Sequence, residues 1–393
     1  MNIKQVLFLA AFGLTASATF TSCDDVLGEW SKPAPVTPTP TPTPTTVSVT
    51  SITLSETTLN KKVGDAAVTL TATVAPDNAD DKTITWSSDN TAAATVADGV
   101  VTIVGTGTAL IAATAKDGSG VEATCTVNVG LLAGKFSVDD GKQVQFSQGN
   151  LQYQASTKTW RFAENQYGYV DNAPGNTTST GRDTQSDWID LFGWGTAGHS
   201  FASGYGTLYQ PWETDNTDGT KYGPSGTDNG LYGDYAQGDW GTNMGTGWRT
   251  LKSDEWTYLF QTRTDAANKF GYATVAGKNG IIIVPDEFTD PMKNGGSNAF
   301  VGSTTIGFNA NVYTEDNWTA MEAAGCVFLP AAGGRNGTSV FSAGLRGLYW
   351  SSSPYGSDAN YAYDMLFSSS GLNPADMSYR HYGFSVRLVR PVE

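Results

Sequence analysis

Between Ile52 and Val129 the chain alternates apolar and polar residues with a period of two, and this alternation, more than any other feature, limits what it can fold into. Ile52-Thr53-Leu54, Val68-Thr69-Leu70-Thr71-Ala72-Thr73-Val74 and Ile84-Thr85-Trp86-Ser87 each carry their apolar side chains on one face, the pattern of half-buried strands. Turn-forming stretches break the pattern at Lys62-Val63-Gly64-Asp65, Pro76-Asp77-Asn78, Ala97-Asp98-Gly99 and Lys116-Asp117-Gly118. A strand every 8 to 12 residues or so predicts an all-β sandwich over 47–130. Cys125 is expected as a small buried hydrophobe, since no other cysteine lies near enough in sequence to pair with it.

The 393 residues leave room for more than one domain. All 17 tyrosines and nine of the eleven tryptophans lie beyond residue 150, so the segment 134–393 is expected to hold the function. With 45 glycines and only 16% charged residues, helix formers are scarce and β-rich, loop-heavy structure follows. A net charge of −15 without any basic cluster repels a phosphate backbone, so no nucleic-acid partner is expected. Three dispersed cysteines (Cys23, Cys125, Cys326) and two histidines (His199, His381) supply neither a zinc knuckle nor a disulfide framework nor a His-based triad. The chain is therefore expected not to be an enzyme and to need no cofactor.

Residues 1–22 begin with Lys4 as the only charge and continue through the apolar run Val6 to Phe20, which reads as a signal peptide. From Pro33 to Thr46 proline and threonine alternate, so the linker 23–46 is expected as a stiff polyproline II spacer.

The segment 134–393 opens with strand pairs, Lys135 to Val138 with Gln143 to Phe146 and Leu151 to Tyr153 with Thr159 to Phe162. Gly193 to Gly247, rich in Gly, Asp, Asn, Thr and aromatics, predicts long loops. One helix is expected to start with Ser253 as its N-cap and another near Thr314, ending at Gly325. Each precedes a buried-strand candidate, Gly280 to Pro285 and Cys326 to Pro330. Two helices among irregularly connected strands predict an α+β domain.

Three resemblances sharpen this reading. Phe20-Thr21-Ser22-Cys23 resembles a bacterial lipobox, and the following Asp24, Asp25 and Glu29 resemble the acidic signal that sends Bacteroides-type lipoproteins to the cell surface. This implies lipidation of Cys23 and an outer-membrane, lipid-anchored, surface-exposed protein. "ITWSSDNTAAATVADGVVTIVGTGTALIAATAKDGSGVEATCTVNV" resembles the group 2 bacterial immunoglobulin-like domain, commonly a spacer or adhesion stalk, and the resemblance implies Trp86 as the core tryptophan. "GWRTLKSDEWTYLF", "GCVFLPAAGGRNG", "LYWSSSPYGSDANYAYDMLF" and "YGFSVRLVRPV" look like the Fibrobacter and Bacteroides major-paralogous domain. That domain is related to the C-type lectin-like fold of diversity-generating retroelement variable proteins. The resemblance implies a core containing Trp248, Trp256, Trp350, Phe384 and Val386, with outward-facing loops between Gly334 and Tyr382. The fold class is then multidomain: an all-β immunoglobulin-like sandwich followed by an α+β C-type lectin-like domain.

Individual motifs add little chemistry. Gly193-Trp194-Gly195-Thr196-Ala197-Gly198 has dinucleotide-loop spacing without the flanking strand and helix. Glu213, Asp215, Asn216, Asp218, Asp228, Asn229, Asp234 and Asp239 are oxygen donors of the kind calcium takes, without EF-hand spacing, and structural calcium is the one ion left open. A formylglycine-type oxidase is excluded because the segment has a single cysteine, Cys326. What remains is the terminal stretch, with Tyr355, Ser357, Asp358, Asn360, Tyr361, Tyr363, Asn373, Asp376, Tyr379, Arg380, His381 and Tyr382. This Tyr-Ser-Asn-Asp mixture is the one binding loops use. The expected function is adhesion to an extracellular protein or glycan ligand through these loops. The alternatives are a structural subunit of a fimbria-like assembly and a carboxylate-based glycan hydrolase.

Overall fold

The computed structural model describes residues 46–177, 186–194, 239–245, 247–293, 298–358 and 361–392. The alternation in the first part folds as expected. Thr58–Lys61, Glu122–Val129, Gly107–Ala115 and Ile84–Ser88 form one four-stranded sheet in that order. Facing it are the pair Ser51–Leu54 and Ala72–Ala75 and the trio Val68–Thr69, Val100–Ile103 and Ala94–Ala97. Between them Val101, Ala109, Ile111, Ala113, Cys125 and Val127 are wholly buried, a core of small side chains that lets the layers approach closely. Trp86 lies on the inward face, across from the buried Ala113. It packs against that core at its margin, half-buried.

The larger part is again mainly strands. Phe136–Asp139 and Lys142–Phe146 pair antiparallel and are extended by the C-terminal Leu388–Pro391 and by Arg249–Thr250. Leu151–Gln154 and Thr159–Phe162 form the second hairpin. The buried strands Lys278–Ile283 and Val327–Pro330 lie side by side in a sheet with Phe270–Val275 and Asn311–Tyr313. The first helix, Ser253–Thr257, has Lys252 rather than Ser253 as its N-cap: Glu255 reaches back to accept the Lys252 N–H at 2.8 Å, fixing the entry one residue early. It continues into a π-turn, Tyr258–Thr262. The second helix, Glu315–Ala323, is capped by the Thr314 hydroxyl, which accepts from the Asn317 N–H at 3.3 Å. It stops at Gly325, whose φ of +86° ends the helix at little steric cost.

Trp248, Trp256, Trp350, Phe384 and Val386 are all buried, in two aromatic clusters on either side of the central strands. Gly347 shows how tight the packing is, since a Cβ there would lie 2.0 Å from the Phe367 ring. Gly347→Ala must displace that ring and is expected to cost about 1–3 kcal/mol in a denaturation midpoint; an unchanged midpoint would contradict this packing.

The sandwich joins the larger part directly. The Gly130 N–H donates to Lys61 O at 2.7 Å, and the Gln148 N–H donates to Gly130 O at 2.8 Å. Leu131 is already part of an aromatic cluster, and Lys62 forms an ion pair with Glu322 of the second helix.

Candidate binding surface

The terminal stretch is where the sequence expectation needs correction. Much of it is not loop. Tyr361–Ser368 and Gly371–Tyr379 are antiparallel strands that extend Arg346–Pro354 into a three-stranded sheet with Gly371–Tyr379 at one edge. The apolar run Ala362 to Phe367 is strand-like in sequence, whereas glycine, asparagine, proline and serine disguise Gly371–Tyr379; Tyr361 pairs with Tyr379 and Tyr363 with Met377, a plain period of two. The register shifts between Asp364 and Leu366, opposite Asn373 to Asp376, where Pro374 has no N–H for the ladder.

One face of this hairpin carries aromatic rings in unbroken contact. Tyr363 meets Tyr355 at 5.3 Å between centroids, Tyr355 meets Tyr361 at 6.3 Å, and Tyr361 meets Tyr379 at 4.4 Å. Tyr379 continues to His381 at 5.4 Å and to Tyr382 at 5.7 Å, and Tyr382 to Phe341 at 5.9 Å. A hydrogen bond with Tyr379 pushes the Tyr361 hydroxyl up to about 12. The series is open to solvent in its middle, with Tyr379 38% and Met377 47% exposed. Ser357 and Asp358 are exposed in the preceding turn. Asn373 is exposed, and its amide donates to Asp376 Oδ1 at 3.2 Å.

Two of the expected surface residues are buried instead. The Arg380 guanidinium lies 4.6 Å over the Trp194 ring and its Nε donates to Tyr361 O at 3.0 Å. His381 is 3% exposed beneath Tyr379 and Tyr382. Both brace the aromatic face from behind. Asn360 and Cys23 lie outside the described residues, as does the acidic run from Glu213 to Asp234. Asp239, the last of that run, is a structural cap: its carboxylate accepts the Gly241 N–H at 2.7 Å and the Thr250 N–H at 2.9 Å. Among the described residues no three His, Cys, Asp or Glu side chains converge.

The opposite face hides a group that sequence reading missed. Asp364 is fully buried across from Asp376. Burial first, and then the Asp376 charge, push its carboxyl well above the usual range, with partial relief from the Ser378 hydroxyl. Neither oxygen has a well-formed hydrogen bond. Asp190 is a milder case, raised by burial to about 6 although it accepts from the Asn176 amide at 2.8 Å and the Val170 N–H at 2.6 Å.

Residues 48–127 match the bacterial Ig-like domain (group 2). The sandwich is therefore an Ig-like domain within a mostly β, multidomain chain. Residues 301–389, which include the aromatic hairpin, match a domain of unknown function, DUF8237. Over 85 residues, 21% of the chain, it is 44% identical to an uncharacterized protein of Clostridium acetobutylicum, and the match spans 9% of that protein's length. Two solved structures of the surface layer protein SbsC share similarity with part of the chain. Domains 4 and 5 match at 22% identity, covering 21% of this chain and 51% of that one, with a TM-score of 0.18. Domains 1–6 match at 18% identity, covering 30% and 17%, with a TM-score of 0.18. Likeness at that score bears on neither the fold of the remainder nor its function.

Proposed function

We propose that this is a surface-associated adhesion protein whose aromatic hairpin face, centred on Tyr361 and Tyr379, takes hold of an extracellular protein or glycan. The observation that carries the reading is the contiguous series of rings on an edge hairpin, exposed in its middle and braced by buried Arg380 and His381. Rigid amphipathic rings with few rotatable bonds are the side chains that dominate binding energy when a partner covers them. The Ig-like domain supports the surface-associated part of the reading, since such sandwiches serve as spacers. In the same proposal, residues 1–22 are an export signal, lipidated Cys23 anchors the chain in the outer membrane, and 23–46 holds the domains away from it. The larger part, 134–393, is proposed as a C-type lectin-like head without enzymatic activity.

The test is capture of ligands by the full chain on glycan and cell-surface protein arrays, beside the double variant Tyr361→Ala/Tyr379→Ala. Loss of two hot-spot rings is expected to weaken binding by about 30-fold or more while the thermal midpoint stays near that of the unaltered chain. Equal binding by a folded variant would move the site off the hairpin.

A further inference from the structure

We infer that the cleft between the Ig-like domain and the C-terminal strands is a second binding site, one for an acidic polysaccharide bearing carboxylates beside ring hydroxyls. The cleft has a volume of about 460 Å³. Its floor is the outer face of the four-stranded sheet, where the period of two brings Thr58 and Asn60, Thr126 and Asn128, and Thr108 to one side. Strand register sets these in two rows. Asn60 lies across from Asn128 and Asn128 across from Thr108, while Thr58 lies across from Thr126.

The first row is a polarised chain of hydrogen bonds starting at a cation. Arg390 donates to the Thr108 hydroxyl, Thr108 donates to Asn128 Oδ1 at 3.1 Å, and the Asn128 amide donates to Asn60 Oδ1 at 3.1 Å. The second row, Thr58 and Thr126, faces the cleft beside it. Lys135 adds a second cation to the lining, and among the described residues no aspartate or glutamate lines the cleft. In a chain of net charge −15, two cations in the described lining favour an anion over a cation at this place. Arginine and lysine suit carboxylate, and rows of hydroxyl and amide groups suit the hydroxyls of a sugar. The lining hydroxyl and amide groups stand on the face of the sheet, Thr58 and Asn60 on its edge strand and Thr108, Thr126 and Asn128 on inner strands. Sites of this kind favour domain junctions.

The probe is polygalacturonate, titrated against the full chain at low and at physiological salt, with neutral dextran and poly-glutamate in parallel. Lys135→Glu and Thr58→Asp place acids on two exposed lining positions that take no part in the hydrogen-bond chain. Each is expected to raise the Kd for polygalacturonate about tenfold or more with no change in thermal midpoint. Binding by the unaltered chain should weaken with salt, and Tyr361→Ala/Tyr379→Ala should leave it unchanged. Absence of binding at low salt, binding indifferent to both substitutions, or equal binding of poly-glutamate would each overturn the proposal, the last by assigning the cleft to acidic polymers in general.

Discussion

Asp286→Ala is expected to destabilise the protein by about 3–5 kcal/mol, because it leaves a buried guanidinium without its counter-charge. Arg263 has a side chain only 1% exposed and donates to Asp286 Oδ1 at 3.3 Å. Burial lowers it to about 10, with Asp286 pulling the other way. The same carboxylate accepts the Ser137 N–H and hydroxyl at 2.7 Å each and the Gln143 amide at 2.8 Å. One side chain thus ties the first hairpin to the π-turn and to the end of a buried strand. Burial alone would raise the Asp286 carboxyl, but the hydrogen bonds from Ser137 and Gln143 and the charges of Arg263 and Lys269 outweigh it and hold it below the usual range. A depressed folded-state value contributes stability that is present above the unfolded value of about 4 and lost as pH falls through the folded one. Urea titrations at neutral and acid pH check both points. The loss in Asp286→Ala should be largest at neutral pH and shrink in acid, and Asp286→Asn should lose less at neutral pH because it keeps the shape and some of the hydrogen bonds.

Asp364→Asn is expected to act in the opposite sense and stabilise the protein at neutral pH. Its folded-state value is raised, so its favourable contribution is fully present below the unfolded value and disappears as pH rises through the folded one. At neutral pH the carboxyl is kept neutral or, if charged, held against burial and the Asp376 charge; the asparagine amide carries neither cost. Relief of a buried, poorly satisfied acceptor is on the order of 1–3 kcal/mol. The measurement is the difference in midpoint between Asp364→Asn and the unaltered chain from acid to neutral pH, a difference that cancels the many groups the two share. It should grow with pH. A flat or shrinking difference would show that Asp364 is neither as buried nor as poorly partnered as its position across from Asp376 implies.

The sandwich was legible because each of its strands is half-buried, and half-burial writes itself into sequence as alternation. The Thr314 cap and the Gly325 stop were legible for a related reason: both act within a few residues of themselves. The second strand of the hairpin, Gly371–Tyr379, is hard to see in sequence because it carries small polar residues and Pro374, which has no N–H for the ladder and lies at a register shift on the edge strand. Buried polar ties were beyond reach altogether. Arg387 donates to Gln166 and Asn150, each more than two hundred residues earlier, and nothing local to Arg387 announces them. The same distance effect turned Arg380 and His381 from expected contact residues into supports beneath the rings. Of the candidate site, the tyrosines were visible in sequence, whereas their alignment into one face depends on strand register.

The central claim is that the aromatic hairpin face meets the ligand, and hydroxyl-radical footprinting of the full chain with and without a captured ligand tests it most directly. Tyr379 and Met377, exposed on that face, should lose most of their reactivity on binding, while Ile306, 58% exposed and in none of the ring contacts, should keep its own. Protection that spares Tyr379 and Met377 and falls elsewhere would contradict the account.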